Sequence, residues 1–239
     1  MGLSKNHLKL ITSLRQKKYR QKHKMFVVEG VKVVREFLNS SFELYQLFSV
    51  DSEFDSDSEI IQISETELKK ASHLVNPNTV LAIFRIPEEG KSKSGGLILA
   101  LDAINDPGNL GTIIRLCDWF GIDQLVCSSD TVDCYNSKVV QASMGSLTRV
   151  SIQYVDLNHF LQESELPIYT ADMDGDNVYQ TGLPQKAILV MGNEANGISS
   201  SISALTNHVL TIPRFGAIQQ TESLNVATAT AILLSEFRR

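Results

Sequence analysis

Three short stretches of the chain carry residues whose types and spacing could do chemistry. The first is Asp106-Pro107-Gly108-Asn109, with Gly111 and Arg115 following in an apolar-periodic run that ends at Phe120. Asn109 is a good N-cap for that helix. Gly111 and Arg115 lie four apart on one helical face. A helical side chain leans toward the N-terminus, so Arg115 reaches back over Gly111 at the Asn109 loop. A glycine inside a helix costs about 1 kcal/mol against alanine; here it leaves that approach open. The second stretch is Gly192-x-Glu194-x-x-Gly197, a glycine-bounded loop with one carboxylate inside it. The third is Ile212-Pro213, a polar loop, then Ser223-Leu224-Asn225, with Ser223 placed to cap a helix from Leu224. The small residues Ala227, Thr228, Ala229, Thr230 and Ala231 that follow let another backbone approach closely.

These loops exclude several chemistries. None contains G-x-S-x-G or a histidine, which argues against a Ser-His-Asp hydrolase. Neither G-x-x-x-x-G-K-[ST] nor G-x-G-x-x-G is matched, so a nucleotide-phosphate loop is not supported. The five histidines form no H-E-x-x-H, and Cys117, Cys127 and Cys134 show no C-x-x-C spacing, so no zinc site or disulfide scaffold is indicated.

Such loops need a scaffold that brings them together. Leu97–Ala103, Gln124–Cys127, Val150–Tyr154, Ile168–Ala171, Ala187–Met191 and Val209–Ile212 read as strands alternating with helical patterns, which indicates a mainly parallel α/β sheet. Each of the three stretches then sits where a strand's carboxyl end meets a loop, the edge at which open α/β sheets bind ligands. Upstream, Met25-Phe26-Val27-Val28-Glu29-Gly30 reads as a short buried strand, followed by a helix over Val31–Leu38. Tyr45–Val50, Ile60–Ile63 and Val80–Ile86 read as further strands, and Ser64-x-x-Glu67 is a capping box. The chain therefore divides into a small α/β domain at 1–87, a polar linker at 88–96 and a larger α/β domain at 97–239.

The 239 residues are 43% hydrophobic with a net charge of −5, which alone would discourage a polyanionic partner. The distribution of charge reverses that. Residues 1–24 hold Lys5, Lys9, Arg15, Lys17, Lys18, Arg20, Lys22 and Lys24, while all 27 acidic side chains lie beyond them. A basic arm on an acidic body suggests a polyanion held at one end. Leu3, His7, Leu10, Ile11 and Leu14 share one helical stripe that can dock; after Leu14 the basic groups point to every side. No apolar run approaches the roughly 18 residues of a spanning helix, and the start lacks a signal-like apolar region. A soluble protein of a reducing, cytoplasmic compartment is expected.

Taken in order, Asp106-Pro107-x-Asn109-x-Gly111-x-x-x-Arg115, Gly192-x-Glu194-x-x-Gly197 and Ile212-Pro213 followed by Ser223-Leu224-Asn225-Val226 resemble the SpoU (TrmH-like) RNA 2′-O-ribose methyltransferases of the SPOUT superfamily. The basic run and Phe26-Val27-Val28-Glu29-Gly30 resemble that family's substrate-binding domain, itself similar to a ribosomal-protein RNA-binding fold. The resemblance implies a SPOUT-type catalytic domain with a C-terminal trefoil knot, S-adenosylmethionine as methyl donor, and a homodimer with active sites across its interface. By position it implies site roles for Arg115, Asn109, Glu194, Ser223 and Asn225, with Arg115 acting on the ribose hydroxyl. It also implies backbone contacts to the cofactor from Gly192, Ile212 and Leu224, and no metal. Lys17, Lys18, Arg20, Lys22 and Lys24 are the RNA-binding candidates. The expected function is 2′-O-ribose methylation of structured RNA, rRNA more than tRNA given the extra N-terminal domain. The alternative is a catalytically silent RNA-binding or ribosome-assembly factor on the same fold. One departure stands out: Arg214 takes the place of the family's usual Met, and the loop from Gly216 to Ser223 is longer than usual.

Overall fold

The computed structural model describes residues 2–54, 56–88, 96–122, 124–216 and 223–239. The chain forms two compact units, Met1–Gly90 with Asp133–Thr148, and Lys91–Val132 with Arg149–Arg239. The linker expected at 88–96 lies almost wholly outside the described residues. The stretch 133–148, read from sequence as part of the larger domain, groups with the first unit.

The first unit is built on a four-stranded sheet of β1 (Met25–Glu29), β2 (Leu44–Ser49), β3 (Ile60–Gln62) and β4 (Val80–Arg85), in the order β1-β4-β2-β3. With it go α1 (Lys5–Ser13), α2 (Lys17–His23), α3 (Val31–Leu38), α4 (Glu65–Ala71) and, from the later stretch, α6 (Ser137–Ser143). Both bonds of the capping box form at the start of α4: Ser64 accepts from the Glu67 amide and Glu67 accepts from the Ser64 amide. The apolar side of the arm docks as its spacing predicts. Ile11 and Leu14 are buried with Phe48, Leu81 and Ile83, and Leu3, Leu8 and Leu10 pack at the margin.

The charged side departs from expectation at one position. Arg20 is only 3% exposed. Its Nε and Nη2 donate to Asp133 Oδ2 at 2.8 and 2.6 Å, and its Nη1 donates to the Leu14 and Arg15 carbonyls at 2.9 and 2.8 Å. Four of its five N–H donors are thereby engaged inside the first unit, which leaves little of Arg20 to meet a phosphate. Lys17, Lys18, Lys22 and Lys24 remain exposed.

Under the arm lies a buried titratable pair. Glu29 accepts from the Ser72 hydroxyl at 2.5 Å and from the His73 amide at 2.7 Å, and His73 Nε2 donates to the Ile11 carbonyl at 2.8 Å. Burial pushes the imidazole down to about 4, helped by the Arg15 and Arg20 cations and opposed by the Ile11 bond. Burial pushes the Glu29 carboxyl up, against its bonds to Ser72 and His73. The two groups act in opposite directions. An unfolded histidine binds its proton near 6.5 and the folded one only near 4, so its contribution to stability is complete above pH 6.5 and falls as pH drops toward 4. Between pH 7 and 5 that amounts to roughly 2 kcal/mol. Urea unfolding of the wild type and His73→Gln at both pH values isolates it from Glu29: the wild type should lose about 2 kcal/mol more than the variant on acidification. Equal losses would mean that the imidazole titrates normally.

The second unit is a six-stranded sheet of β5 (Leu97–Leu101), β6 (Gln124–Ser128), β7 (Ser151–Val155), β8 (Ile168–Asn177), β9 (Ala187–Met191) and β10 (His208–Thr211). The order is β10-β8-β9-β5-β6-β7, and every pairing is parallel. Its helices are α5 (Pro107–Phe120), α7 (Leu157–Gln162), α8 (Ser200–Ser203) and α9 (Val226–Arg238). Ile98, Ala100, Ile188 and Val190 of the central strands pack with Leu157, Leu161 and Ile202 of α7 and α8. The alternating residues Leu97, Leu99 and Leu189 are buried as well, as strands covered on both faces require. β8 runs on to Asn177, past the expected Ala171, because its pairing with β10 shifts register between Val209 and Leu210 and resumes at Asp176. In a parallel sheet all carboxyl ends share one edge, so the segments after β5, β9 and β10 leave from the same side.

Candidate active site

The helix after β5 begins one residue beyond Asp106, and Asp106, not Asn109, is its N-cap: its side chain accepts from the Asn109 amide at 2.8 Å. Pro107 takes the first helical position, where its missing N–H is no loss. Asn109 is thereby released from capping, and its amide side chain turns to the other two loops. Its Nδ2 donates to Glu194 Oε1 at 2.5 Å, and its Oδ1 accepts from Asn225 Nδ2 at 2.9 Å. Asn225 in turn is the N-cap of α9, accepting from the Ala227 and Thr228 amides at 3.0 and 3.2 Å. The expected cap at Ser223 moves two residues on, and the helix starts at Val226 instead of Leu224. One residue from each of the three loops is therefore tied into a single hydrogen-bonded chain, Glu194–Asn109–Asn225.

The glycine-bounded loop closes tightly on itself. The Asn193 amide donates to the Gly197 carbonyl at 3.0 Å, and the Gly197 amide to the Asn193 carbonyl at 2.8 Å. A Cβ on Gly192 would lie 2.5 to 2.6 Å from backbone atoms of Gly197 and Ile198, so only glycine permits this closure. Gly197 sits at φ +66°, the left-handed turn that lets the chain double back.

α9 runs beside α5 and is tied to it at both ends. Asn225 bonds Asn109 near the start of α5; Arg238 donates to the Phe120 and Gly121 carbonyls at its end, at 2.9 and 2.6 Å. Sequence reading missed Arg238, although a basic residue near a helix end is a recognised partner for open carbonyls. It also missed Asn193 and Asp102, both of which hold the glycine-bounded loop.

The remaining expected residues are placed but not joined to this chain. Arg115 is exposed on α5 and makes no hydrogen bond or ion pair among the described residues. Ser223 is exposed at the start of α9. Ile212 is half-buried after β10, and Leu224, 49% exposed, precedes the Asn225 cap. The longer loop noted between Gly216 and Ser223 falls on 217–222, outside the described residues. Arg214, at the position of the usual Met, donates through Nη2 to Met173 Sδ at 2.8 Å.

A parallel sheet with three loops joined by hydrogen bonds at its carboxyl edge is the arrangement at which open α/β sheets hold ligands. Comparison with known proteins specifies its class. Residues 96–235 match the SpoU rRNA Methylase family, and residues 5–82 match the MRM3-like substrate binding domain. The chain is 31% identical over 235 residues to the 23S rRNA (guanosine(2553)-2'-O)-methyltransferase RlmP of Bacillus subtilis, covering 94% of this chain and 93% of that protein. A solved TrmH-family structure from Porphyromonas gingivalis superposes with a TM-score of 0.88 at 39% identity, covering 100% of this chain and 99% of that one. The AdoMet-bound rRNA methyltransferase of Sinorhizobium meliloti superposes with a TM-score of 0.86 at 27% identity, covering 100% and 96%. The chain belongs to the SpoU rRNA Methylase family.

Proposed function

We propose that this protein transfers a methyl group from S-adenosylmethionine to a ribose 2′-hydroxyl of rRNA. The observation that carries the reading is the Glu194–Asn109–Asn225 chain, which joins the three loops into one site at the sheet's carboxyl edge. Gly192, Ile212 and Leu224 fit the cofactor. Ile212, half-buried, and Leu224, 49% exposed, offer the apolar contact that a small ligand site needs, and Gly192 contributes by letting its loop close on the Gly197 and Ile198 backbone. When bound, S-adenosylmethionine supplies an activated methyl group.

The protein's own task is to hold a weak nucleophile in line and help it lose its proton. Arg115 carries a guanidinium, a planar donor group with no acceptor, and is not the proton acceptor. Its role is therefore electrostatic, toward a developing alkoxide or a neighbouring phosphate. Asn109 donates to the Glu194 carboxylate and is itself held by Asn225, and Ser223 adds a hydroxyl just before α9. Mapping ribose methylation in rRNA from cells with and without the protein tests the reading: one site should be lost without it. Unchanged maps would leave the silent RNA-binding factor as the better account.

RNA affinity is assigned to the exposed lysines of α2. Deleting residues 1–24 would remove Ile11 and Leu14 from the core of the first unit, so charge reversal is the cleaner test. Each phosphate contact contributes about 0.7–0.9 to the slope of log K against log salt. The triple variant Lys17→Glu, Lys18→Glu, Lys22→Glu should lower that slope by about two, with S-adenosylmethionine affinity unchanged. An unaltered slope would make α2 a solvated helix only.

The homodimer is part of the same proposal. It rests on the family resemblance, and Trp119, 84% exposed on α5, is an apolar side chain available to a second copy. Light scattering reads it: a fully active monomer would remove the dimer. The knot and the cytoplasmic location come with the family reading, and among the described residues no helix is long and apolar enough to cross a membrane.

A further inference from the structure

We infer that Asn193 is a positioning residue that sets where the Glu194 carboxylate meets Asn109, an assignment that rests on the methyltransferase reading above. Its side chain does two things at once. Oδ1 accepts from the Ala195 and Asn196 amides at 2.9 and 3.1 Å, wrapping the tip of the loop around it. Nδ2 donates to the Ala103 carbonyl at 2.7 Å. Ala103 belongs to the segment between β5 and α5 that also leads to Asp106 and Asn109.

The Ala103 carbonyl is itself held in a defined direction. Ala103 sits at φ +56°, a left-handed conformation uncommon for a residue with a Cβ, and its amide donates to Ser128 Oγ at 2.9 Å. A strained residue persists where its surroundings over-determine it, and here Asn193 and Ser128 do so from either side. The far end of the loop is fixed by Asp102, a carboxylate only 8% exposed, which accepts from the Ser199 amide at 2.7 Å. The Glu194 loop is thus registered on residues 102 and 103, a few positions upstream of Asn109. The Glu194–Asn109 bond closes the circuit.

Only an amide of this length can serve both ends. Aspartate keeps the acceptor and loses the donor, placing a carboxylate oxygen against the Ala103 carbonyl. Alanine loses both. The side chain of Asn196, by contrast, makes no hydrogen bond among the described residues, so Asn196→Ala is a control within the same loop.

The readout independent of turnover is the Asn109 side-chain amide resonance in the full-length protein without ligand, with Glu194→Ala giving its position when the bond is absent. Asn193→Ala should move that resonance most of the way to the Glu194→Ala position. It should lower kcat for methyl transfer by about 10²-fold, the scale of an ångström-sized misplacement, with KM for RNA within about threefold. Asn193→Asp should be intermediate in both, which keeps the test alive if the alanine variant folds poorly. Asn196→Ala should change neither. A wild-type resonance in both Asn193 variants, or a wild-type kcat in a variant whose resonance has moved, would overturn the assignment. If the wild type itself transfers no methyl, the methyltransferase reading fails, and the resonance alone decides whether Asn193 sets the Glu194–Asn109 bond.

Discussion

Arg115→Ala should lower methyl transfer by about 10²–10³-fold, the range for removing one preorganised donor from a developing oxyanion. The fold should be unaffected, because the side chain is exposed and bonds nothing among the described residues. S-adenosylmethionine affinity, read by calorimetry, should also stay near wild type. Arg115→Lys is informative beside it. A lysine keeps the charge but not the planar fork, so partial recovery would indicate a simple electrostatic role, and none would indicate a bidentate grip. Near-normal turnover in the alanine variant would remove Arg115 from the mechanism.

Gly192→Ala should be damaging for a different reason. The added methyl would stand 2.5 to 2.6 Å from backbone atoms of Gly197 and Ile198, which cannot swing aside as a side-chain tip can. Either the Asn193–Gly197 bridge opens or β9 shifts at its end. Overpacking of this kind costs about 1–3 kcal/mol. The functional loss should be larger than the stability loss suggests. Glu194 is carried by this loop, and misplacement by an ångström costs about 10²-fold in rate. Urea unfolding paired with single-turnover transfer separates the two. A variant with wild-type turnover would show that the loop need not close this way.

Much of the fold was legible because local pattern and tertiary demand agreed. The run Val31–Leu38 and the apolar Ala187–Met191 have the bounds that periodicity assigns them. The Ser64–Glu67 box carries its own local signal. Cap positions were less legible, since Asp106, Asn109, Ser223 and Asn225 are all cap-forming types. Pro107 was the available clue: a proline favours the first helical position, which puts the cap at Asp106. The end of β8 is hidden in sequence because four of the six residues from Asp172 to Asn177 are Asp or Asn, and strand character there comes from pairing with β10.

Arg20 shows a limit of another kind. In sequence it is one more charge in a basic run; its partner Asp133 stands 113 positions away, and no local pattern announces the pair. The same holds for the grouping of 133–148 with the first unit. The motifs nominate the candidate residues, but they say nothing of how those residues are joined. Nothing in the spacing of Asn109, Glu194 and Asn225 says that one amide would bridge the other two. The groups that hold the loop, Asn193 and Asp102, look like ordinary polar residues until the chain is folded.

The most direct test of ribose methylation uses purified protein, isotopically labelled S-adenosylmethionine and rRNA from cells lacking this protein, followed by nuclease digestion and mass analysis of the nucleosides. The account predicts label in a single 2′-O-methylated nucleoside at one position of the rRNA, absent when Arg115→Ala replaces the wild type. Label on a base, or no transfer by a protein that binds both S-adenosylmethionine and rRNA, would contradict it.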